Sequence, residues 1–177
     1  GKLQLPDFQR GWVWDDEHIR SLLVSIARSF PIGAVMLLET GGETRFQVRP
    51  VEGVDLPPKS AKLAEELILD GQQRLTSLTQ VLKLDKPVAT RDAKKRELRL
   101  HYYFHIEKAL LGPESLEDAI VAVDENRTLR SDFGRKIDLD LSTPEKELEA
   151  FYFPCSQILN SDDWEQMLSE KAPDKLV

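Results

Sequence analysis

The stretch Glu66-Leu67-Ile68-Leu69-Asp70-Gly71-Gln72-Gln73-Arg74-Leu75-Thr76-Ser77-Leu78-Thr79-Gln80-Val81-Leu82 changes its hydrophobic period midway. Residues 66–69 form a short apolar run that reads as a strand, whereas Leu75, Leu78, Val81 and Leu82 fall at helical spacing. Asp70 to Arg74 therefore joins a strand to a helix. Outward from this unit the same alternation continues. Asp15 or Asp16 caps a helix with the apolar stripe Ile19, Leu22, Leu23, Ile26, Ala27 and Phe30, which Pro31 stops. The branched run 32–39 reads as a buried strand, and Thr40-Gly41-Gly42-Glu43 as a turn. Residues 44–51 alternate as an exposed hairpin strand, while Pro50, Pro57 and Pro58 predict an irregular excursion before residue 65. Leu3 to Arg10 is an extended lead-in, because a residue before proline is pushed away from helical geometry. Downstream, residues 96–106 predict a third strand with Leu98, Leu100, Tyr102 and Phe104 on one face. Residues 119–123 predict another, and helices open at Ser142-Thr143-Pro144-Glu145 and Ser161-Asp162-Asp163. Interleaved strands and helices predict an α/β or α+β fold rather than a bundle or a sandwich. Residues 1–110 form the core in this reading, and 111–177 an acidic, mainly helical extension of the same domain.

A chain of 177 residues with 41% apolar residues suits one globular domain. No run approaches the roughly 18 apolar residues of a membrane span and no charged-then-apolar leader opens the sequence, so a soluble cytoplasmic protein is expected. The single Cys155 makes neither a disulfide framework nor a zinc ribbon. The net charge of −7 is uneven: residues 1–60 carry −1, 61–105 carry +3 and 106–177 carry −9. A uniformly basic face is absent, and any contact with nucleic acid has to be local.

Two segments carry candidate chemistry. At Asp70-Gly71-Gln72-Gln73-Arg74-Leu75-Thr76-Ser77 a helix N-terminus offers unpaired N–H groups and partial positive charge to a phosphate. Gly71 permits close approach to the backbone, Arg74 can fork onto phosphate oxygens, Gln72 and Gln73 can bind a phosphate or orient water, and Thr76 or Ser77 adds a hydroxyl. The alternative is structural: Asp70 as N-cap with Gln73 three residues later makes a capping box, worth about 1 kcal/mol. The second segment, Phe8-Gln9-Arg10-Gly11-Trp12-Val13-Trp14, combines an amide, a guanidinium and aromatic rings, as nucleotide or single-strand recognition does. Trp12 and Trp14, two apart, read rather as core residues on one side of an extended segment, which leaves Gln9 and Arg10 as the functional pair. His101 and His105 lie about 13 Å apart along a strand, too far to share a metal, and read as surface residues. Asp138, Asp140, Glu145, Glu147 and Glu149 read as a solvated face, and Cys155 as a buried thiol. No P-loop, HExxH or GxSxG pattern is present.

Four ordered blocks resemble the N-terminal domain of GmrSD-type restriction proteins, within the ParB and sulfiredoxin-like superfamily. They are Leu5 to Trp14, Ser21-Leu22-Leu23, Phe30-Pro31-Ile32-Gly33, and Leu67 to Leu78. The resemblance is close over residues 3–84 and thinner beyond. It implies a ParB/sulfiredoxin-like core that binds a nucleoside triphosphate with Mg²⁺ and hydrolyses it, as part of a protein that restricts foreign, often modified, DNA in phage defence. On that basis Asp70, Gln72 and Gln73 are the catalytic candidates, and Gln9, Arg10, Gly71, Arg74 and Thr76 the nucleotide-binding ones. Where relatives often carry Tyr before the Gln-Arg pair, this chain has Phe8. Family proteins commonly continue into a helical region and an HNH-type nuclease domain, so the chain reads as a partial protein. A DNA-binding or DNA-nicking ParB-like module is the competing reading, with Lys94-Lys95-Arg96 and Arg99 as a phosphate-tracking patch.

Overall fold

A computed structural model describes residues 2–42, 46–55 and 64–172, and shows an α+β fold. The first sheet has the order β2-β4-β1-β3, built from β1 (Leu3–Pro6), β2 (Met36–Glu39), β3 (Val48–Arg49) and β4 (Glu66–Asp70). β1 runs parallel to β4, with Leu3 opposite Glu66 and Gln4 opposite Leu67, while β2 and β3 are antiparallel to their neighbours. The parallel pair needs a crossover, and α1 (Asp16–Ala27) lies on it. Asp15 caps α1 as expected, its carboxylate accepting from the His18 backbone N–H. α2 (Gln72–Leu82) follows β4 after a single intervening residue.

The second sheet is centred on β6 (Glu97–His105), which pairs antiparallel with β5 (Val88–Arg91), β7 (Ile120–Asp124) and β10 (Tyr152–Pro154). β8 (Thr128–Ser131) and β9 (Lys136–Asp140) form a separate ribbon. Short α3 (Ile106–Leu110) and α4 (Leu116–Ala119) precede β7; α5 (Pro144–Ala150), capped by Thr143, and α6 (Asp162–Lys171) follow the ribbon. The stretch after residue 110 thus mixes helices with four strands, two of which complete the β6 sheet. The main core lies between the helices and this sheet: Ile19, Leu23 and Val24 of α1 and Val81 of α2 meet Val88, Tyr102, Ile120 and Cys155, with Trp12 and Trp14 packed at its margin. Burial of the Cys155 thiol pushes its pKa up, which makes it an unreactive core group.

Four expectations are corrected by this packing. The run at 32–39 yields only β2, whose four residues are all exposed, because β2 is an edge strand with no described element over it. Ile26 and Phe30, the C-terminal end of the α1 stripe, are also exposed, since α1 ends at Ala27 and its last turn overhangs the core. Of the hairpin strand expected at 44–51, only Val48–Arg49 forms a strand among the described residues 46–51, and residues 43–45 and 56–63, including Pro57 and Pro58, lie outside the described residues. β6 is covered on both faces rather than one: Tyr102 enters the main core and Tyr103, at 0% exposure, a second cluster with Val123 and Leu141.

Candidate functional site

The β4–α2 junction sits against the Gln9-Arg10 segment, and side-chain amides lace the two together. The Gln9 amide donates to the Leu69 carbonyl at 2.9 Å, and the Gln72 amide to the Arg10 carbonyl at 2.9 Å. Gln73 makes a reciprocal pair across the same seam, donating to the Gly11 carbonyl at 3.1 Å and accepting from the Val13 N–H at 3.0 Å. Arg49 of β3 adds a third strand's hold, donating to the carbonyls of Gln9 and Arg10, and Glu52 accepts from both Arg49 and the Trp12 N–H. Two segments sixty residues apart therefore form one surface. Arg49 and Glu52 escaped the sequence reading because nothing in their local pattern signals a long-range backbone contact.

The capping box at Asp70 and Gln73 does not form. Gly71 itself is the N-cap, at φ +87°, and no side chain caps the helix. Asp70 is instead exposed and faces the Arg74 guanidinium at 3.4 Å, while Gln73 is spent on Gly11 and Val13. The left-handed turn at Gly71 swings Asp70 away from the first-turn N–H groups, which removes the geometry that a box needs. The first turn of an eleven-residue helix is thus left without side-chain acceptors.

Arg74 is placed differently from a phosphate fork. Its guanidinium donates to the carbonyls of Ile32 and Ala34, and holds the loop before β2 against the start of α2. A Cβ on Gly71 would meet Val35 Cγ2 at 3.2 Å and the Arg74 Nη2 at 3.3 Å, so the space beside this glycine is filled by the loop. Thr76 is 1% exposed, and Ser77 is buried with its hydroxyl accepting from the Trp12 indole and donating to the Gln73 carbonyl. Neither hydroxyl faces solvent at the junction.

What the junction leaves free is more telling. The side-chain oxygens Oε1 of Gln9 and of Gln72 are both buried and have no hydrogen-bond partner among the described residues. Each lies beside an amide nitrogen whose bond fixes the orientation, so both present an acceptor with no donor, a state that buried polar groups rarely tolerate. The exposed Arg10 guanidinium also has no partner among the described residues. Glu52 Oε2, close by through Trp12, is a third buried acceptor of this kind.

Elsewhere two readings change. His101 and His105 are half-buried rather than surface residues, the His105 ring lying 4.7 Å from Tyr152, and burial, reinforced by the Arg127 charge, lowers the His101 pKa. Glu147, read as part of a solvated acidic face, is 2% exposed and accepts from the Tyr103 hydroxyl at 2.8 Å and from Arg127 at 3.1 Å. The remaining acids fit that reading better: Asp138, Asp140 and Glu145 pair with Lys136, Lys146 and Lys171. Among the described residues no group of three or more His, Cys, Asp or Glu is placed to hold a metal, and no helix is long and apolar enough to cross a membrane.

The chain is 26% identical over 185 residues to Uncharacterized protein MJ0686 of Methanocaldococcus jannaschii, an alignment that covers 99% of this chain and 30% of that protein. The chain thus spans under a third of the length of the curated relative it matches. No solved structure matches it. The family model for the GmrSD restriction endonuclease N-terminal domain matches residues 1–171, through both amide-laced segments and both sheets, and the chain belongs to that family.

Proposed function

We propose that this domain binds a nucleoside triphosphate with its phosphates at the N-terminus of α2, and hydrolyses it as the regulatory part of a larger DNA restriction protein acting in phage defence. The observation that carries the reading is the pair of buried, unpartnered Oε1 atoms of Gln9 and Gln72, which flank the Arg10 backbone at the uncapped start of α2. Open N–H groups attract phosphate, the free Arg10 guanidinium supplies charge, and the orphaned amide oxygens can accept from water or from ligand N–H and O–H groups. Mg²⁺ fits as an ion carried on the phosphates. It commonly uses one or two carboxylates and several waters, and Asp70 is the exposed carboxylate at the turn.

Calorimetry of the folded domain with ATP, GTP, CTP and UTP in Mg²⁺ tests the reading, and the absence of heat with all four overturns it. Arg10→Ala removes a charge-assisted contact worth about 1.5–3 kcal/mol, and is expected to weaken affinity roughly ten- to a hundredfold. The thermal midpoint is expected to stay put, because that guanidinium has no partner among the described residues. Arg74→Ala is the less informative variant, since it also releases the loop at Ile32 and Ala34.

For turnover, Gln72 is the group that positions water. Gln73 has both ends of its amide engaged, whereas Gln72 keeps its oxygen free. Asp70 stands exposed at the turn beside the Arg74 guanidinium, which leaves it to the metal rather than to the water. Single-turnover hydrolysis by the full-length protein at saturating nucleotide is expected to slow in Gln72→Ala while affinity changes by only a few fold. Equal rates would remove Gln72 from the role.

A further inference from the structure

β2 is an open edge of the first sheet, and its residues Met36-Leu37-Leu38-Glu39 are all exposed. Met36 is 59% exposed, Leu37 43% and Leu38 36%, with Val35 before them at 43%. Unpaired strand edges invite another strand, and folded proteins blunt them with brevity, proline, basic side chains or a covering segment. Other outer strands show such devices: β3 is two residues long, β10 ends in Pro154, and β5 carries Arg91. β2 has no proline, lysine or arginine, and no described element covers it.

The register fixes which backbone groups lie open. The Thr40 N–H donates to the Glu65 carbonyl at 2.8 Å, which makes Thr40 and Glu65 a hydrogen-bonded pair. Such pairs alternate along an antiparallel ladder, so Leu38, opposite Leu67, also turns its N–H and C=O toward β4. Leu37 and Glu39 therefore point theirs outward, two donors and two acceptors along the free edge. Met36 pairs with Asp70 and Leu37 with Ile68, so the extra residue at the irregularity is Leu69 of β4, and β2 itself alternates regularly. Met36 and Leu38 share one face of the strand, Leu37 and Glu39 the other.

We propose that β2 pairs antiparallel with β2 of a second copy of this chain, about a two-fold axis at Leu38, and joins the two four-stranded sheets into one of eight strands. Within β2 only that register uses every open group: Leu37 of each copy exchanges both hydrogen bonds with Glu39 of the other. It also suits the side chains. Leu38 meets Leu38 of the second copy in the close, non-hydrogen-bonded position, with Met36 flanking on the same face. Each Glu39 lies opposite Leu37 of the other copy rather than opposite its like, so no carboxylates face each other. The strand is thus complementary to itself, as a two-fold interface requires. Nothing in this pairing needs a nucleotide at α2, and the inference stands apart from the function proposed above.

The test is sedimentation of this chain without nucleotide at loading concentrations from about 5 to about 500 µM, since an edge pair buries less than the roughly 1,200 Å² of a stable complex and associates weakly. A rise with concentration toward twice the monomer mass, and no further, is expected, because pairing consumes β2. Leu38→Lys and Leu38→Glu each set like charges against each other at the axis, and each is expected to weaken association about tenfold or more. An equimolar mixture of the two variants is expected to recover it, which loss of the fold would not allow. Leu38→Cys gives a second readout that needs no charge in the strand. Its Cα atoms would lie about 4.5 Å apart across the axis, within disulfide reach. Since Cys155 is buried, oxidation with diamide is expected to link Leu38→Cys chains into covalent dimers and to leave Leu37→Cys chains single. A monomer at every concentration, growth beyond the dimer, no recovery on mixing the folded charge variants, or linking at 37 as fast as at 38 would each overturn the proposal.

Discussion

Glu147→Ala is expected to lower stability by about 3 kcal/mol at neutral pH. Glu147 is 2% exposed and links α5 to the β6 sheet by accepting from Tyr103 and Arg127. Removing one partner of a buried ion pair costs about 3–5 kcal/mol, because the other is left in low dielectric. The lower end applies here, since Arg127 keeps its contact to Asp85 at 2.6 Å and the exposed Asp85 leads that charge toward water. For a chain of this size the thermal midpoint should fall by roughly 6–12 °C. Glu147→Gln retains an acceptor for the Tyr103 hydroxyl and is expected to cost markedly less. Burial raises the Glu147 pKa, with the Tyr103 and Arg127 contacts opposing it. A carboxyl raised on folding adds stability that is complete below its unfolded value, 4.5, and lost as pH rises through the folded value. Denaturant midpoints from acid to neutral pH should therefore show a falling contribution in the wild type that is absent from Glu147→Gln. A flat difference between the two would show that this carboxyl does not titrate in the fold.

Gly33→Ala is expected to cost about 2–4 kcal/mol, combining backbone strain with overpacking. Gly33 has φ +93°, a conformation that residues with a Cβ rarely adopt, and the added methyl would overlap the Arg74 Nη1. The arginine can swing aside only by releasing the Ile32 and Ala34 carbonyls, which it alone ties to α2 among the described hydrogen bonds. The effect of Gly33→Ala should therefore shrink to the backbone part, about 1–2 kcal/mol, in an Arg74→Ala background. Denaturant melts of the two single variants and the double variant measure that coupling. Full additivity would mean that Gly33 and Arg74 act independently.

These two sites also show where sequence reading stops. The strand, turn and helix at 66–82, the α1 stripe through Leu23, and the cap at Thr143 were legible because each depends on residues within a few positions of one another. The burial of Cys155 followed from its type, and the block pattern was enough to place the chain in its family. Gln9, Arg10 and Gln72 were singled out by their chemistry, yet that the amides of Gln9 and Gln72 are bonded across a sixty-residue gap was not written in either segment.

Tertiary structure decided the rest. Asp70 and Gln73 have capping-box spacing, but a left-handed Gly71 turned one to solvent and Gly11 and Val13 claimed the other. Glu147 shares its local pattern with solvated acids, and only the arrival of Tyr103 from β6 and Arg127 from the β7–β8 turn makes its burial tolerable. The branched run before Glu39 has the composition of a buried strand and becomes an exposed edge, because strand order is a property of the whole sheet. Local sequence sets φ/ψ preference and hydrophobic period, and so determined the elements of this protein. Which side chain meets which depends on long-range packing, where each polar group takes the best partner that the fold brings within reach, and so only the structure could decide the site.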